Sequence, residues 1–249
     1  MFSLIVVYMV QWVCFDWGNT LADMKGTYDE IERDQGVYNA LQQFGVKVSL
    51  AEFDAAHSEL SREFSVSYRG NVKRWQKGFF FHSLCSRLNF PVTIEESERM
   101  SDYYNDKFIS KLKLLPAAKE VIEFLAKKKI RLALISNANG ERIRQQLEFF
   151  NLYSYFSIVL ISDELGFDKS SVEPFKKFLE HAKIVYPVTV PSECIMVGDR
   201  KDEDSYAKKA GMKTIIVKKS HRLPSSHDVE PDYEVKDLHE LKTLLEKML

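Results

Sequence analysis

Cysteine is scarce in this 249-residue chain: Cys14, Cys85 and Cys194 are odd in number and far apart. Without paired or CxxC spacing, neither a disulfide framework nor a thiolate zinc site is expected. Ten glycines and seven prolines argue against a linker-rich or low-complexity protein. There is no internal repeat. Charge of one sign is lacking too: 35 basic against 36 acidic residues leave a formal net charge of −1. The chain therefore has no bulk electrostatic footprint for nucleic acid. Long apolar runs are also absent. The first ten residues are apolar, but Gln11 interrupts them and Asp16 ends the run, short of the ~20 residues a membrane span needs. With no basic residue in that stretch, a secretory signal is not expected. Residues 1–11 read as an extended start that feeds a sheet. A cytoplasmic protein, without stable membrane insertion and either monomeric or homodimeric, is the expectation.

What is present is a core-forming composition, 45% hydrophobic and 29% charged, long enough for one α/β core plus a smaller partner. Residues 12–16 form a short apolar run ending in an acid, as at a strand terminus. From about 28 to 112 the periodicity is helical. Val37, Ala40, Leu41 and Phe44 share one face, with Gly45 as a stop. Ser49 with Glu52, and Thr93 with Glu96, make capping-box pairs. A helix is predicted through Trp75, Phe79 and His82, and another through Tyr104 and Phe108. Past Pro116 helices and strands alternate. Helices are predicted over 117–128, 140–150, 172–183, 203–210 and from 237, and strands over 131–136, 156–162, 194–199 and 213–218, with a short segment near Tyr233. This is a doubly wound, mostly parallel α/β sheet, residues 1–22 and 114–249, interrupted by an all-helical domain over 23–113.

In such sheets ligands bind beyond the carboxyl ends of the strands. Asp16, Ser136, Lys169 and Asp199 all fall at that edge. Asp16 and Asp199 would repel each other unless a cation lay between them. Oxygen donors without His or Cys favour Mg²⁺. Glu203 and Asp204 follow closely and can complete or orient the site, while Asp202 reads as an acid at a solvated helix start. Ser136 and Asn137, between a strand and a helix, offer a hydroxyl and amide N–H groups to an anion. Lys169 adds a point charge. An acid, a divalent ion, an anion pocket and a cation are the equipment for phosphoryl transfer. Cys14 and Cys194 read as inert packing residues. Arg69, Lys73, Arg74 and Trp75, followed by Phe79–Phe81, read as an amphipathic helix with its aromatics in a core, the alternative being a pocket lining.

CFDWGNTL (14–21), ALISNAN (133–139), Lys169 within LGFDKSSVEPF, and MVGDRKDEDSYAKKAGM (196–212) resemble, in order and spacing, the four motifs of the haloacid dehalogenase-like hydrolase superfamily. LPAAKEVIEFLAKKKIRLALISN (115–137) resembles its lead-in to the second motif, and the helical insert resembles its cap. The resemblance implies a Mg²⁺-dependent phosphatase cleaving a small phosphomonoester. Asp16 would be the nucleophile that carries an aspartyl-phosphate. Mg²⁺ would lie against the carboxylates of Asp16 and Asp199 and the carbonyl of Gly18, with Asp204 helping to hold it. Ser136 and Lys169 would hold the phosphoryl oxygens, joined by Asn137 and by N–H groups near Trp17 and Asn19. Two positions depart from the pattern. Gly18 stands where such phosphatases usually carry a second Asp as general acid and base, worth roughly 10²–10⁴-fold in rate. His57 or His82 are candidates to replace it. Ser170 and Ser171 follow the lysine where Pro is common. Two other readings accompany the phosphatase. One is a 2-haloacid dehalogenase, which also lacks the second Asp but needs no acid cluster. The other is a weak or inactive relative that binds a phosphorylated ligand or a protein.

Overall fold

The computed structural model describes residues 10–24, 30–66, 70–218 and 225–249. The apolar residues 1–9 and Arg69 lie outside them. Six strands form one wholly parallel sheet: β1 (Trp12–Phe15), β2 (Arg131–Ser136), β3 (Phe156–Ile161), β4 (Cys194–Gly198), β5 (Lys213–Val217) and β6 (Tyr233–Val235), in the order β3-β2-β1-β4-β5-β6. Val10 is buried and Gln11 bonds through its backbone to Glu193 and Arg131, so the chain enters β1 between its two neighbours. The register sets Phe15 beside Leu134 on one side and Val197 on the other. The strand order reverses direction at β1, which opens a crevice at the carboxyl edge of β1 and β4.

β1 is buried on both faces, which explains its unbroken apolar run. Its alternation divides it between two cores. Val13 and Phe15 join the cluster holding Val121, Ile122, Leu125, Ile143 and Leu241, contributed by α5 (Ala118–Lys127), α6 (Gly140–Phe149) and α9 (Leu238–Met248). Trp12 and Cys14 join Phe175, Phe178 and Ala207 on the opposite face, under α8 (Glu173–Val185) and a 3₁₀ segment Asp204–Ala210. The expected α-helix at 203–210 is therefore tighter, because its first residue, Asp204, is drawn inward to the sheet edge. A one-turn helix α7 (Ser162–Leu165) after β3 was too short to show periodicity.

Between β1 and β2 lie α1 (Glu30–Gln43), α2 (Leu50–Val66), α3 (Phe79–Arg87) and α4 (Ile94–Ile109). They share a separate core that includes Val37, Leu41, Phe53, Leu60, Phe81, Leu84 and Met100. Gly45, at φ +80°, ends the run after α1. Both capping boxes form: Ser49 and Glu52 exchange bonds of 2.8 and 3.3 Å, and Thr93 and Glu96 bonds of 2.8 and 3.1 Å. Each such cap is worth about 1 kcal/mol.

The helix expected through Trp75, Phe79 and His82 is broken. A 3₁₀ turn, Val72–Trp75, precedes α3, with Gly78 between at φ +73°. A β-carbon on Gly78 would lie 2.7 Å from the backbone nitrogen of Glu98. Close packing against α4 thus imposes the break. Phe81 goes to the helical core as expected, whereas Trp75 lines a cavity. Among the described residues no helix is long and apolar enough to cross a membrane.

Candidate active site

The crevice edge brings together the residues picked out by their positions after the strands. Asp16 leaves β1 with its backbone N–H bonded to the Val197 carbonyl at 2.9 Å. Its carboxylate is nearly buried, at 7% exposure. Oδ1 accepts from Lys169 Nζ at 2.6 Å and from Ser136 Oγ at 3.1 Å. Oδ2 accepts a longer bond, 3.4 Å, from Thr20 Oγ1. Thr20, four residues after the acid, was not singled out from the sequence.

Lys169 is 2% exposed and also donates to Asp204 Oδ1 at 2.6 Å. Burial works against its charge, but Asp16 and Asp204 outweigh that and hold its pKa above the ordinary lysine value. Asp204 is pushed up, chiefly by burial, with the like charges of Asp16 and Asp199 acting against the relief from Lys169. One carboxylate oxygen from each of Asp16, Asp199 and Asp204 lies within 4.8 Å of the others. Three acids thus face one ammonium. An all-oxygen donor set with excess negative charge fits a hard metal cation.

Gly198 permits this convergence. A β-carbon there would come within 2.0 Å of Asp204 Oδ2, and Asp204 is further fixed by the Arg200 N–H at 3.0 Å. Asp202 is not at a solvated helix start. It is buried and takes a two-point bond from Arg200, at 3.1 and 2.9 Å. Glu203 receives Arg200 at 3.2 Å and the Asn137 amide at 2.8 Å.

Asn137 acts as a tie. Its side-chain carbonyl accepts the Lys169 backbone N–H at 2.9 Å while its amide donates to Glu203. Its side chain thus joins three loops while the residue still lines the cavity. The turn after β1 is tight: the Trp17 carbonyl accepts from Leu21 and Ala22, each at 3.0 Å. The Asn19 N–H is likewise committed, to the Ala22 carbonyl at 2.7 Å, with Asn19 at φ +59°. The Trp17 indole is buried and donates to Gln146 Oε1 at 2.6 Å. At Gly18, among the described residues, only Met24 Cγ, at 3.4 Å, would meet an added β-carbon.

Asp16, Ser136, Asp199 and Glu203 open into a cavity of about 870 Å³ whose other wall is supplied by the helical segment, including His57, Phe80 and Tyr104. His82 is not in that lining; His57 is, 3.6 Å from Asp34. Two polar bridges connect the walls. Lys77 reaches Glu141 at 3.1 Å. Asp168, beside Lys169, accepts the Gly70 N–H at 3.0 Å and Arg74 at 3.4 Å. It also accepts from the Ser170 N–H at 2.9 Å and the Ser170 hydroxyl. Ser170 thus replaces a proline with a hydroxyl that orients Asp168. Neither Asp168 nor Arg142 was singled out from the sequence, since the contacts of Asp168 to Gly70 and Arg74 and of Arg142 to Phe108 are distant in the chain.

A parallel α/β sheet whose first strand ends in a buried acid, met by Ser136, Lys169 and two further acids, defines a hydrolase-type site. Over residues 14–217 the chain matches, and belongs to, the haloacid dehalogenase-like hydrolase family. It is 29% identical over 239 residues to glyceraldehyde 3-phosphate phosphatase of Pyrococcus furiosus, covering 94% of this chain and 92% of that one. It is 30% identical over 212 residues to the enzyme of the same name from Pyrococcus abyssi, with 84% and 82% covered. Among solved structures, a HAD phosphatase from Thermococcus onnurineus superposes with a TM-score of 0.69 at 21% identity, covering 94% of this chain and 97% of that one. A putative HAD-hydrolase from Bacillus subtilis, described as bound to magnesium, superposes at 0.68 with 17% identity, covering 95% and 99%. These last two likenesses concern the fold.

Proposed function

We propose that this protein is a Mg²⁺-dependent phosphatase that cleaves a small phosphomonoester through an aspartyl-phosphate on Asp16. The observation that carries the reading is the environment of Asp16. Its carboxylate ends the central strand, is touched by Ser136 and Lys169, and opens into the cavity. The phosphatase names of the full-length relatives support the same reading.

Asp16, Asp199 and Asp204 would hold the ion, with the Gly18 carbonyl beside them. When bound it supplies positive charge against the phosphoryl oxygens. Ser136 and Lys169 hold the other phosphoryl oxygens by a hydroxyl and an ammonium. An oxygen of Asp16 attacks phosphorus in line, the ester P–O bond breaks, and the leaving alkoxide takes its proton from water. Water then attacks the same phosphorus, releasing phosphate and restoring the carboxylate. Gly18 brings no proton donor to the leaving oxygen, so esters with good leaving groups are turned over faster than alkyl phosphates. Residues 23–113 act as the cap, selecting the substrate and excluding water.

A phosphate-release screen over sugar phosphates, phosphoglycolate, nucleotides, acyl phosphates and p-nitrophenyl phosphate, run with Mg²⁺ and with EDTA, tests this. Release is expected with Mg²⁺ only and none from Asp16→Asn. Activity that survives in Asp16→Asn overturns the nucleophile assignment.

A further inference from the structure

Four basic side chains line the cavity, and three of them face carboxylates. Arg74 is 3.4 Å from Asp168. Lys77 is 2.9 Å from Asp102 and 3.1 Å from Glu141. Arg200 is 2.9 Å from Asp202 and 3.2 Å from Glu203. Arg142, in the first turn of α6, is different. Its guanidinium lies 4.7 Å from the Phe108 ring centroid and beside Tyr104, and among the described residues no carboxylate pairs with it. Burial lowers its pKa from the ordinary guanidinium value. A half-buried cation without a counter-charge is a candidate to bind one, and a planar fork of donors matches an oxyanion.

Two neighbouring donors have the same deficit. Gln146 is four residues along α6 and so shares a face with Arg142. The Trp17 indole, a donor only, takes Gln146 Oε1 at 2.6 Å, which fixes the amide with Nε2 as its free end. That Nε2 is buried without a partner, and so is Nε1 of Trp75 across the cavity. Buried polar groups in native structures are normally bonded. An arginine fork and two orphan donors around one cavity therefore describe a place for acceptor oxygens. It shares its cavity with Asp16 but draws on none of the residues around that carboxylate.

We propose that the substrate carries a second anionic group on its leaving portion, a carboxylate or a second phosphoryl, and that Arg142 holds it. This deepens the phosphatase reading and rests on it for turnover, though not for binding. It also separates this chain's preference from a three-carbon phosphate whose leaving portion is neutral, such as the one in the names of its relatives.

The test is calorimetric binding, with Mg²⁺ present, to the full chain carrying Asp16→Asn, which stops turnover. Three probes are compared: 3-phosphoglycerate (carboxylate tail), 1,3-propanediol bisphosphate (phosphoryl tail) and glycerol 3-phosphate (neutral tail). At least one anionic-tailed probe is expected to bind tenfold or more tightly than the neutral one. Which of the two does so names the group. Adding Arg142→Gln brings the ratio towards one, and Arg142→Lys, which keeps charge without the fork, leaves part of it. Equal binding of all three probes, no binding of any, or an unchanged ratio in Arg142→Gln overturns the proposal. If Arg142→Gln does not fold, the ratio without it and in Arg142→Lys decides. Absence of phosphate release by the unmutated protein, with the tail preference intact, would discard the phosphatase reading and leave the Arg142 assignment standing.

Discussion

The Asp204 carboxylate lies directly over the α-carbon of Gly198, where a β-carbon would come within 2.0 Å of Oδ2. Asp204 is buried and bonded to Lys169 and to the Arg200 N–H, so it has nowhere to retreat. Gly198→Ala is therefore expected to displace Asp204 from the acid cluster. A core overpacking cost of about 1–3 kcal/mol accompanies this. The rise in melting temperature on adding Mg²⁺ should shrink or vanish, and phosphate release should fall about tenfold or more. An unchanged Mg²⁺ response would show that Asp204 is not needed for the ion.

Lys169→Met removes the one ammonium between Asp16 and Asp204 while keeping the volume. Deleting one partner of a buried ion pair costs about 3–5 kcal/mol. For a chain of this size that corresponds to a drop in Tm of about 10 °C. The drop is expected to be largest in EDTA and smaller with Mg²⁺, since a bound cation takes over part of the charge. Melting curves in the two buffers check both statements.

At Gly18, among the described residues, an added β-carbon meets only Met24 Cγ, at the ordinary contact distance of 3.4 Å. Gly18→Asp should therefore fold normally and supply the missing proton donor. Its turnover of alkyl phosphates is expected to rise about tenfold or more, with a much smaller change for p-nitrophenyl phosphate. Parallel steady-state assays on the two esters are the check; equal changes in both would mean that protonation of the leaving oxygen does not limit the reaction.

Asp168 joins the loop carrying Lys169 to Gly70 and Arg74 on the far wall. Asp168→Ala should release that wall by removing the bonds to the Gly70 N–H and to Arg74. A rise in KM of several-fold and faster limited proteolysis within residues 70–78 are expected, with far-ultraviolet circular dichroism unchanged.

All three thiols are buried, and burial pushes Cys85 up to about 11 and Cys194 up to about 12. Burial also raises Cys14, well above the ordinary thiol value. At pH 8 almost no thiolate is present in the native protein. Iodoacetamide should therefore leave the native protein unlabelled and modify all three residues in denaturant, as mass spectrometry can count.

The sequence carried most of the sheet because its strands are sealed on both faces and so read as uninterrupted apolar runs. β1 and β2 are of this kind, and the acid and the serine that close them needed no three-dimensional information to be noticed. The capping boxes at Ser49 and Thr93 were equally local. What could not be read was tertiary. The break before α3 comes from contact of Gly78 with α4. The tightening at Asp204–Ala210 accompanies the close approach of Asp204 to Gly198. Asp202 resembled a surface acid until Arg200 folded back on it. Arg142 and Asp168 carry no mark in the sequence that sets them apart from other charges. Their meaning depends on which partners the fold provides, or fails to provide, from 30 to 100 positions away.

Asn137 leaves β2 and grips both the backbone of Lys169 after β3 and the side chain of Glu203 after β4. Three crossover loops are thereby riveted into a single rim. Crowding at any one corner therefore strains the bonds that hold the other two.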